Sequence, residues 1–202
     1  MAFWHGFLLA LGLILPLGVQ NVFLFTQGAV QRSYLRALPA VVMAALCDAL
    51  LILLAVLGVS MLVLQVDLVR YVLLVAGILF LLYMAWMTWR GADKAALAED
   101  GTNRAAMTWR KQVVFAASVS LLNPHAILDT IGVIGTSSLQ YAGAEKVWFT
   151  LSCMLVSCLW FAGLALAGRV VGKINPRLLP VMSRVSAVIM LVSAVYLGVS
   201  LI

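Results

Sequence analysis

Charged side chains are scarce in this chain. Only 10% of its 202 residues are Asp, Glu, Lys or Arg, whereas 65% are apolar. Water-soluble domains are typically about half apolar and about one quarter charged. A soluble fold of this length could not bury so much apolar surface, so we expect lipid to surround most of these side chains. The composition predicts one membrane domain, 1–202, with the lipid bilayer as its main partner.

Histidine and cysteine are too few for most cofactor chemistry. A haem-binding or quinone-linked redox subunit needs histidines on facing helices, but the chain has only His5 and His125. Three cysteines without a CxxC pair favour packing over a disulfide or a metal site. No GxxxxGK[ST] phosphate loop occurs either. We therefore expect no cofactor, no metal and no nucleotide hydrolysis.

Six apolar segments are each long enough to cross a hydrocarbon core of about 30 Å as a helix of roughly 20 residues. Their apolar runs are continuous and do not alternate with period two, which favours helices over barrel strands. The sequence predicts an all-α membrane protein with about six transmembrane helices. These spans are placed at residues 3–28, 37–60, 68–89, 113–137, 147–168 and 178–201.

Lysine and arginine lie mostly on one side of these spans. Eleven of the thirteen follow the first, third or fifth span, and only Arg70 and Lys146 lie on the other side. The positive-inside rule then places both termini outside. The net charge of +6 is explained by this topology, and no basic groove interleaved with aromatic residues indicates a nucleic-acid partner.

A polar stretch, residues 91–112, divides the chain into two halves of three spans each. We interpret it as a cytoplasmic linker between repeat one, 1–90, and repeat two, 113–202. Because three is an odd number, the second half enters the membrane with the opposite orientation, as in transporters built from inverted repeats. Pro16 and Pro124 interrupt the first span of each half, which predicts broken helices 1 and 4. Paired breaks indicate a midplane binding site, with ordinary proline kinks as the alternative.

Polar groups follow both breaks. Asn123 and Pro124 form a typical helix start, with asparagine as N-cap and proline at the first helical position. The N–H groups and positive dipole end of that half-helix would suit a carboxylate. The first break lacks such a cap, but Gly18 allows close approach, and Gln20 and Asn21 supply amides.

Two carboxylates lie within predicted spans, Asp48 in the second and Asp129 in the fourth. An acid near the bilayer centre costs about 2.5 to 3.5 kcal/mol, so each is a functional candidate. No Lys or Arg lies in the middle of a predicted span. The positive charge that balances these carboxylates is therefore a proton or a bound cation. Asp129 follows His125 by one turn, so those two could instead satisfy each other. An intramembrane hydrolase with an aspartate dyad is a further alternative, but it does not explain the paired breaks.

Two motifs resemble the LysE-type exporters of lysine and arginine in bacteria. The first is ILPLGVQNVF at residues 14–23, and the second is LNPHAILDT at residues 122–130. Asp48 falls where the same exporters carry an aspartate in the second span. One departure is Val19, because the family usually has a proline there, giving GPQN. The resemblance covers nearly the whole chain in length, span number and linker.

This resemblance implies amino-acid export across the bacterial inner membrane, driven by the proton gradient. Two buried acids favour a cationic substrate, lysine or arginine, over the neutral and hydroxylated amino acids that related exporters carry. Asp48 and Asp129 would bind its positive ends and, with His125, carry the exchanged proton. The predicted substrate site comprises Asp48, Asp129, Gln20, Asn21, Asn123, Pro124, Gly18, Pro16 and Thr130. The pattern Gly168-x-x-x-Gly172 is a weak pointer to a homodimer.

Overall fold

The computed structural model describes residues 1–15, 18–58, 67–97, 107–123, 126–127, 130–174 and 178–199. All regular structure in these segments is helical, which confirms the predicted all-α class for this part of the chain. One segment, Thr130–Gly135, is a π-helix. The α-helices are α1 Ala2–Ile14, α2 Val19–Val30, α3 Tyr34–Val56, α4 Asp67–Leu97, α5 Trp109–Leu121, α6 Thr136–Ser138, α7 Gly143–Ile174 and α8 Leu178–Val199.

Two described helices are long and apolar enough to cross a membrane, Tyr34–Val56 and residues Gly143–Lys173 of α7. The pair α1 and α2 is a third candidate crossing, although its axes bend by 81° at the break. Shorter apolar stretches lie within α4 and α8, at Ile78–Arg90 and Ser183–Tyr196. Length and composition thus identify two or three crossings among the described residues. The six spans and the inverted repeat stay predictions.

Helix α7 lies at the centre of the described bundle, and glycines allow its close contacts. A methyl group at Gly168 would overlap the carbonyl oxygen of Phe25, and one at Gly28 would overlap that of Ala165. One at Gly172 would lie 2.9 Å from Cβ of Ala29. The pattern Gly168-x-x-x-Gly172 therefore packs against α2 of the same chain. This contact within one chain accounts for the pattern, so the pattern does not argue for a homodimer, and the homodimer stays a prediction.

Three apolar clusters form the core. Cluster A joins α1, α3, the π-helix and α7 through Ala2, Ala10, Ile52, Val56, Ile134, Phe149, Cys153 and Val156. Cluster B joins α2, α3, α5 and α7 through Phe23, Leu24, Ala40, Val41, Ala44, Ala116, Phe161 and Ala165. Cluster C joins the start of α2 to α4, α5 and α8 through Val19, Leu81, Met84, Ala85, Val119, Met190 and Ala194.

These clusters meet at the break between α1 and α2. Ile14, the last residue of α1, packs against both cluster A and cluster B. Val19, the first residue of α2, belongs to cluster C. The residues on either side of the interruption therefore contact all three clusters, as a binding site between helices requires.

Part of the predicted linker, residues 91–112, is helical. Helix α4 continues to Leu97, seven residues into the segment 91–112, and α5 begins at Trp109 within the same segment. Residues 98–106 lie outside the described part of the chain. Helical backbone thus extends into both described ends of the linker segment.

Candidate functional site

The first break has a defined backbone start for its second half. Gly18 is the N-cap of α2, with φ −78° and ψ 175°, and its carbonyl accepts the first helical hydrogen bond, from the Val22 N–H at 3.2 Å. No side chain caps this end. The N–H groups of the first turn of α2 therefore point toward the break without a side-chain acceptor at the N-cap. Among the described residues, no atom comes within 4 Å of a Cβ added at Gly18.

Asn21 stabilises the break from the α2 side. Its Nδ2 donates to the carbonyl oxygen of Ile14 at 2.8 Å. In a continuous helix that carbonyl would accept from the residue four positions on, so the break leaves it exposed in an apolar interior. Asn21 is buried, at 5% exposure, and it replaces the missing backbone donor. A structural role thus accounts for the nitrogen of its side-chain amide, in addition to the predicted role in substrate binding.

Val19 occupies a position that suits the proline of the related exporters. It is the first residue of α2, where no intrahelical acceptor is needed, and the extended Gly18 before it has the conformation that proline requires of its predecessor. The break therefore forms without this proline. The departure at Val19 does not produce a continuous first span.

We expect Val19→Pro to keep stability within about 0.5 kcal/mol and to keep transport, because nothing in the backbone opposes it. Val22→Pro is the matched control. It would remove the N–H that bonds to the Gly18 carbonyl, and we expect it to destabilise the protein by ~3 kcal/mol. Thermal unfolding in detergent measures both variants. Equal destabilisation by the two prolines would show that the start of α2 is not where the structure places it.

Asp48 has a partner on a distant helix. The Ser157 hydroxyl of α7 donates to Oδ2 of Asp48, across 109 positions of sequence. Ser157 is 3% exposed and also lies 3.3 Å from the carbonyl oxygen of Cys153. In the described part of the chain no lysine, arginine or histidine forms an ion pair with Asp48. The hydroxyl that bonds to Asp48 is neutral, so no described residue balances the negative charge of its carboxylate.

Asp48 and Ser157 form a polar layer between two apolar clusters. On α3, Asp48 follows Ala44 of cluster B by one turn and precedes Ile52 of cluster A by one turn. On α7, Ser157 lies between Cys153 of cluster A and Phe161 of cluster B. The break after Ile14 lies at the junction of the same clusters. A carboxylate, a hydroxyl and the interrupted first span are thus found at one level of the bundle.

Two buried polar atoms near this level have no hydrogen-bond partner among the described residues. They are Nε2 of Gln20, a side chain 8% exposed, and Oγ of Ser120, a side chain 1% exposed. Gln20 lies in the first turn of α2, and Ser120 follows Val119, which packs in the same cluster as Val19. A buried polar group without a partner costs about 1 to 3 kcal/mol, so each of these atoms needs a partner, which a bound ligand or a water molecule can supply.

The second break is described in part. Helix α5 ends at Leu121, and the Ile127 N–H donates to the Asn123 carbonyl at 3.1 Å, as expected if Asn123 begins a new helical turn. Asn123 is buried, and Thr130, also buried, is the first residue of the π-helix. Such i→i+5 segments are often found at functional sites. The other predicted site residues, Pro16, Pro124, His125 and Asp129, lie outside the described residues.

A buried glutamine cluster lies at the opposite end of α2, and hydropathy did not indicate it. Gln31 and Gln112 are 5% and 1% exposed, and both Nε2 atoms donate to the carbonyl of Met107, at 2.9 and 3.0 Å. Gln112 also donates to the Arg36 carbonyl at 3.0 Å. These bonds join the residues before α5 to the ends of α2 and α3, on the side where most Lys and Arg lie.

Comparison with known proteins identifies the family of this chain. The family model described as LysE type translocator matches residues 11–201. The chain belongs to the LysE type translocator family. It is therefore a multi-pass membrane transporter and not an enzyme, as the sequence predicts.

Several relatives in this family cover most of the chain. YisU of Bacillus subtilis (strain 168) is 54% identical over 199 residues, 98% of this chain and 89% of that protein. YisU is provisionally described as an amino-acid transporter. The arginine exporter protein ArgO of Pectobacterium carotovorum subsp. carotovorum (strain PC1) is 36% identical over 81% of this chain and 79% of its own. ArgO of Serratia proteamaculans (strain 568) is 35% identical over 81% and 78%. No solved structure gives a significant match.

Proposed function

We propose that this LysE-family translocator exports lysine or arginine from the cytoplasm in exchange for protons. The observation that carries the proposal is Asp48, a carboxylate in a membrane-spanning helix whose partner in the described part of the chain is a neutral serine. A buried charge needs a counter-charge, and a cationic substrate or a proton supplies one. The arginine exporters at 34 to 36% identity support the cationic class.

The carboxylate of the substrate would be bound at the first break. An amino acid carries a carboxylate, and the first turn of α2 offers N–H groups, the positive end of the helix dipole and the unpartnered Nε2 of Gln20. Asn123 and the turn that it begins would complete the carboxylate site from the second half of the chain. Asp129, Pro16, Pro124, His125, Thr130 and Gly18 keep the roles that the sequence predicts for them.

This mechanism requires a particular membrane arrangement. We propose six spans in two inverted halves, with the two breaks near the midplane and both termini outside the inner membrane. The glutamine cluster, Gln31 and Gln112, would then lie at the cytoplasmic end of the substrate path. A reporter fused after Ile202 should be active only outside the cytoplasm, and cytoplasmic activity would contradict this topology.

The substrate class is tested by counterflow. Proteoliposomes loaded with one unlabelled amino acid take up the labelled form only if the protein carries it. We expect uptake of arginine or lysine, and little uptake of leucine, threonine or homoserine. Preferential counterflow of a neutral or hydroxylated amino acid would instead establish the alternative substrate class, and Asp48 would then serve as a proton site alone.

A further inference from the structure

We propose that Ser157 is a positioning residue that satisfies Asp48 in both of its protonation states, by turning its hydroxyl hydrogen between Asp48 and the carbonyl of Cys153. This inference rests on the proposed function, in which Asp48 binds the exchanged proton. Ser157 does not itself receive or release that proton. It changes only the direction of its hydrogen bond.

The geometry provides two acceptors for a single hydrogen. Oγ of Ser157 is within hydrogen-bond distance of Oδ2 of Asp48 and lies 3.3 Å from the carbonyl oxygen of Cys153. A serine hydroxyl has one hydrogen and two lone pairs, so it can donate to one of these atoms and accept from the other side at the same time. A carbonyl one turn back along α7 is always available, because it belongs to the same helix.

Both states of Asp48 then keep a hydrogen bond to Ser157. When Asp48 is ionised, Ser157 donates to the carboxylate. When a proton from solution binds Asp48, the new carboxyl O–H donates to Oγ of Ser157, and the serine hydrogen turns to the Cys153 carbonyl. A buried polar group without a hydrogen-bond partner is costly. Because Ser157 can bond Asp48 in both protonation states, neither state is destabilised by the loss of this bond.

Few other described ionisable groups lie near Asp48. Cys47 is its neighbour on α3, and Cys153 lies one turn before Ser157 on α7. Helix α2 and the π-helix contain no ionisable side chain. On α1 the ionisable side chain is His5, nine residues before Ile14, and on α5 Arg110 and Lys111 lie at least eight residues before Val119. Among the described residues, Ser157 is therefore the group best placed to adjust to a change in Asp48.

This role matters for one half of the transport cycle. Exchange of substrate for substrate uses Asp48 with a bound cation in both directions. Net export requires the protein to return with a protonated Asp48, in which the carboxyl O–H needs an acceptor in an apolar layer. Without the Ser157 hydroxyl, the return step should slow while exchange continues.

The test compares three serine variants in proteoliposomes. Ser157→Ala should lower export driven by a pH gradient about tenfold and leave arginine counterflow within about twofold. Ser157→Thr keeps the hydroxyl and should restore pH-driven export. Ser152→Ala is the matched control: it lies on the same helix, is fully buried and donates to the Phe149 carbonyl at 2.7 Å, with no bond to Asp48. It should leave both modes unchanged.

An infrared measurement decides the inference independently of substrate. The carboxylic-acid C=O band of Asp48 is identified as the one missing in Asp48→Asn, and it should shift to higher frequency in Ser157→Ala but not in Ser152→Ala. An unshifted band, or equal loss of both transport modes in Ser157→Ala and Ser157→Thr, would overturn the role assigned to Ser157. If the wild type carried neither arginine nor lysine, the proposed function would fail, and the infrared band would still decide whether Ser157 bonds protonated Asp48.

Discussion

Asp48→Asn is expected to weaken binding of arginine or lysine at least tenfold and to abolish proton-driven export. Asparagine keeps the shape of the side chain, and its carbonyl can still accept from the Ser157 hydroxyl. It lacks the negative charge that holds a cationic head group, a loss that typically costs about 2 to 5 kcal/mol at a buried site. Asparagine also cannot bind the exchanged proton. Binding is measured by titration calorimetry, and export in proteoliposomes under a pH gradient.

This variant should not be less stable than the wild type. A neutral amide is less costly than a carboxylate within a membrane-spanning helix, so thermal unfolding of Asp48→Asn is expected at the same temperature or higher. Glu145→Gln is the matched control, because Glu145 is exposed in the first turn of α7 and its charge has no role in the account. Wild-type affinity in Asp48→Asn, or an equal loss in Glu145→Gln, would contradict the assignment of Asp48.

Gly168→Ala is expected to have the largest effect on the fold. A methyl group at this position would overlap the Phe25 carbonyl oxygen, which belongs to the backbone of α2 and cannot rotate away. Helices α2 and α7 would have to separate, and we expect a loss of ~3 kcal/mol or more. The protein should unfold at lower temperature in detergent and lose its monodisperse peak in size-exclusion chromatography.

Gly163→Ala on the same helix is the control for this substitution. Gly163 is exposed, and no atom of the part of the chain that the structure describes lies within 4 Å of an added Cβ. Alanine is about 1 kcal/mol better than glycine in a helix interior, so this variant should be as stable as the wild type or slightly more so. If both alanine variants behaved alike, the close contact between α2 and α7 would not exist in the membrane.

The sequence predicts the break in the first span because proline and polar residues in an apolar run leave a strong local signal. Helix α1 ends at Ile14 and α2 begins at Val19, on either side of Pro16. The 81° bend between them was not predictable, because it depends on how α1 and α2 each pack along α7. The same holds for Gly168, whose role depends on which helix passes over it. The local sequence pattern indicates where a helix ends, whereas tertiary packing determines the direction of the helix that follows.

The candidate site shows the same division. Asp48 was recognised because a carboxylate in an apolar helix is costly wherever it lies. Ser157 was not, because a serine in an apolar helix is common and its partner is 109 positions away. Asn21 was predicted to bind substrate, but its bond to the Ile14 carbonyl could be inferred only once the two helix ends were known. Ser120 and the glutamines Gln31 and Gln112 gave no motif at all.

Proton coupling is the central claim, and one transport measurement tests it most directly. Export of a cation from a negative interior costs about 2.3 kcal/mol per charge for each 100 mV, so uphill export needs a driving ion. If one proton is exchanged for one cationic amino acid, no net charge moves.

Proteoliposomes loaded with labelled arginine are given either a pH gradient, acidic outside, with the potential clamped at zero, or a potential alone at equal pH. The account predicts that the pH gradient drives arginine out against its concentration and that the potential alone has little effect. Efflux that ignores the pH gradient and follows the potential would identify a uniporter and contradict the account.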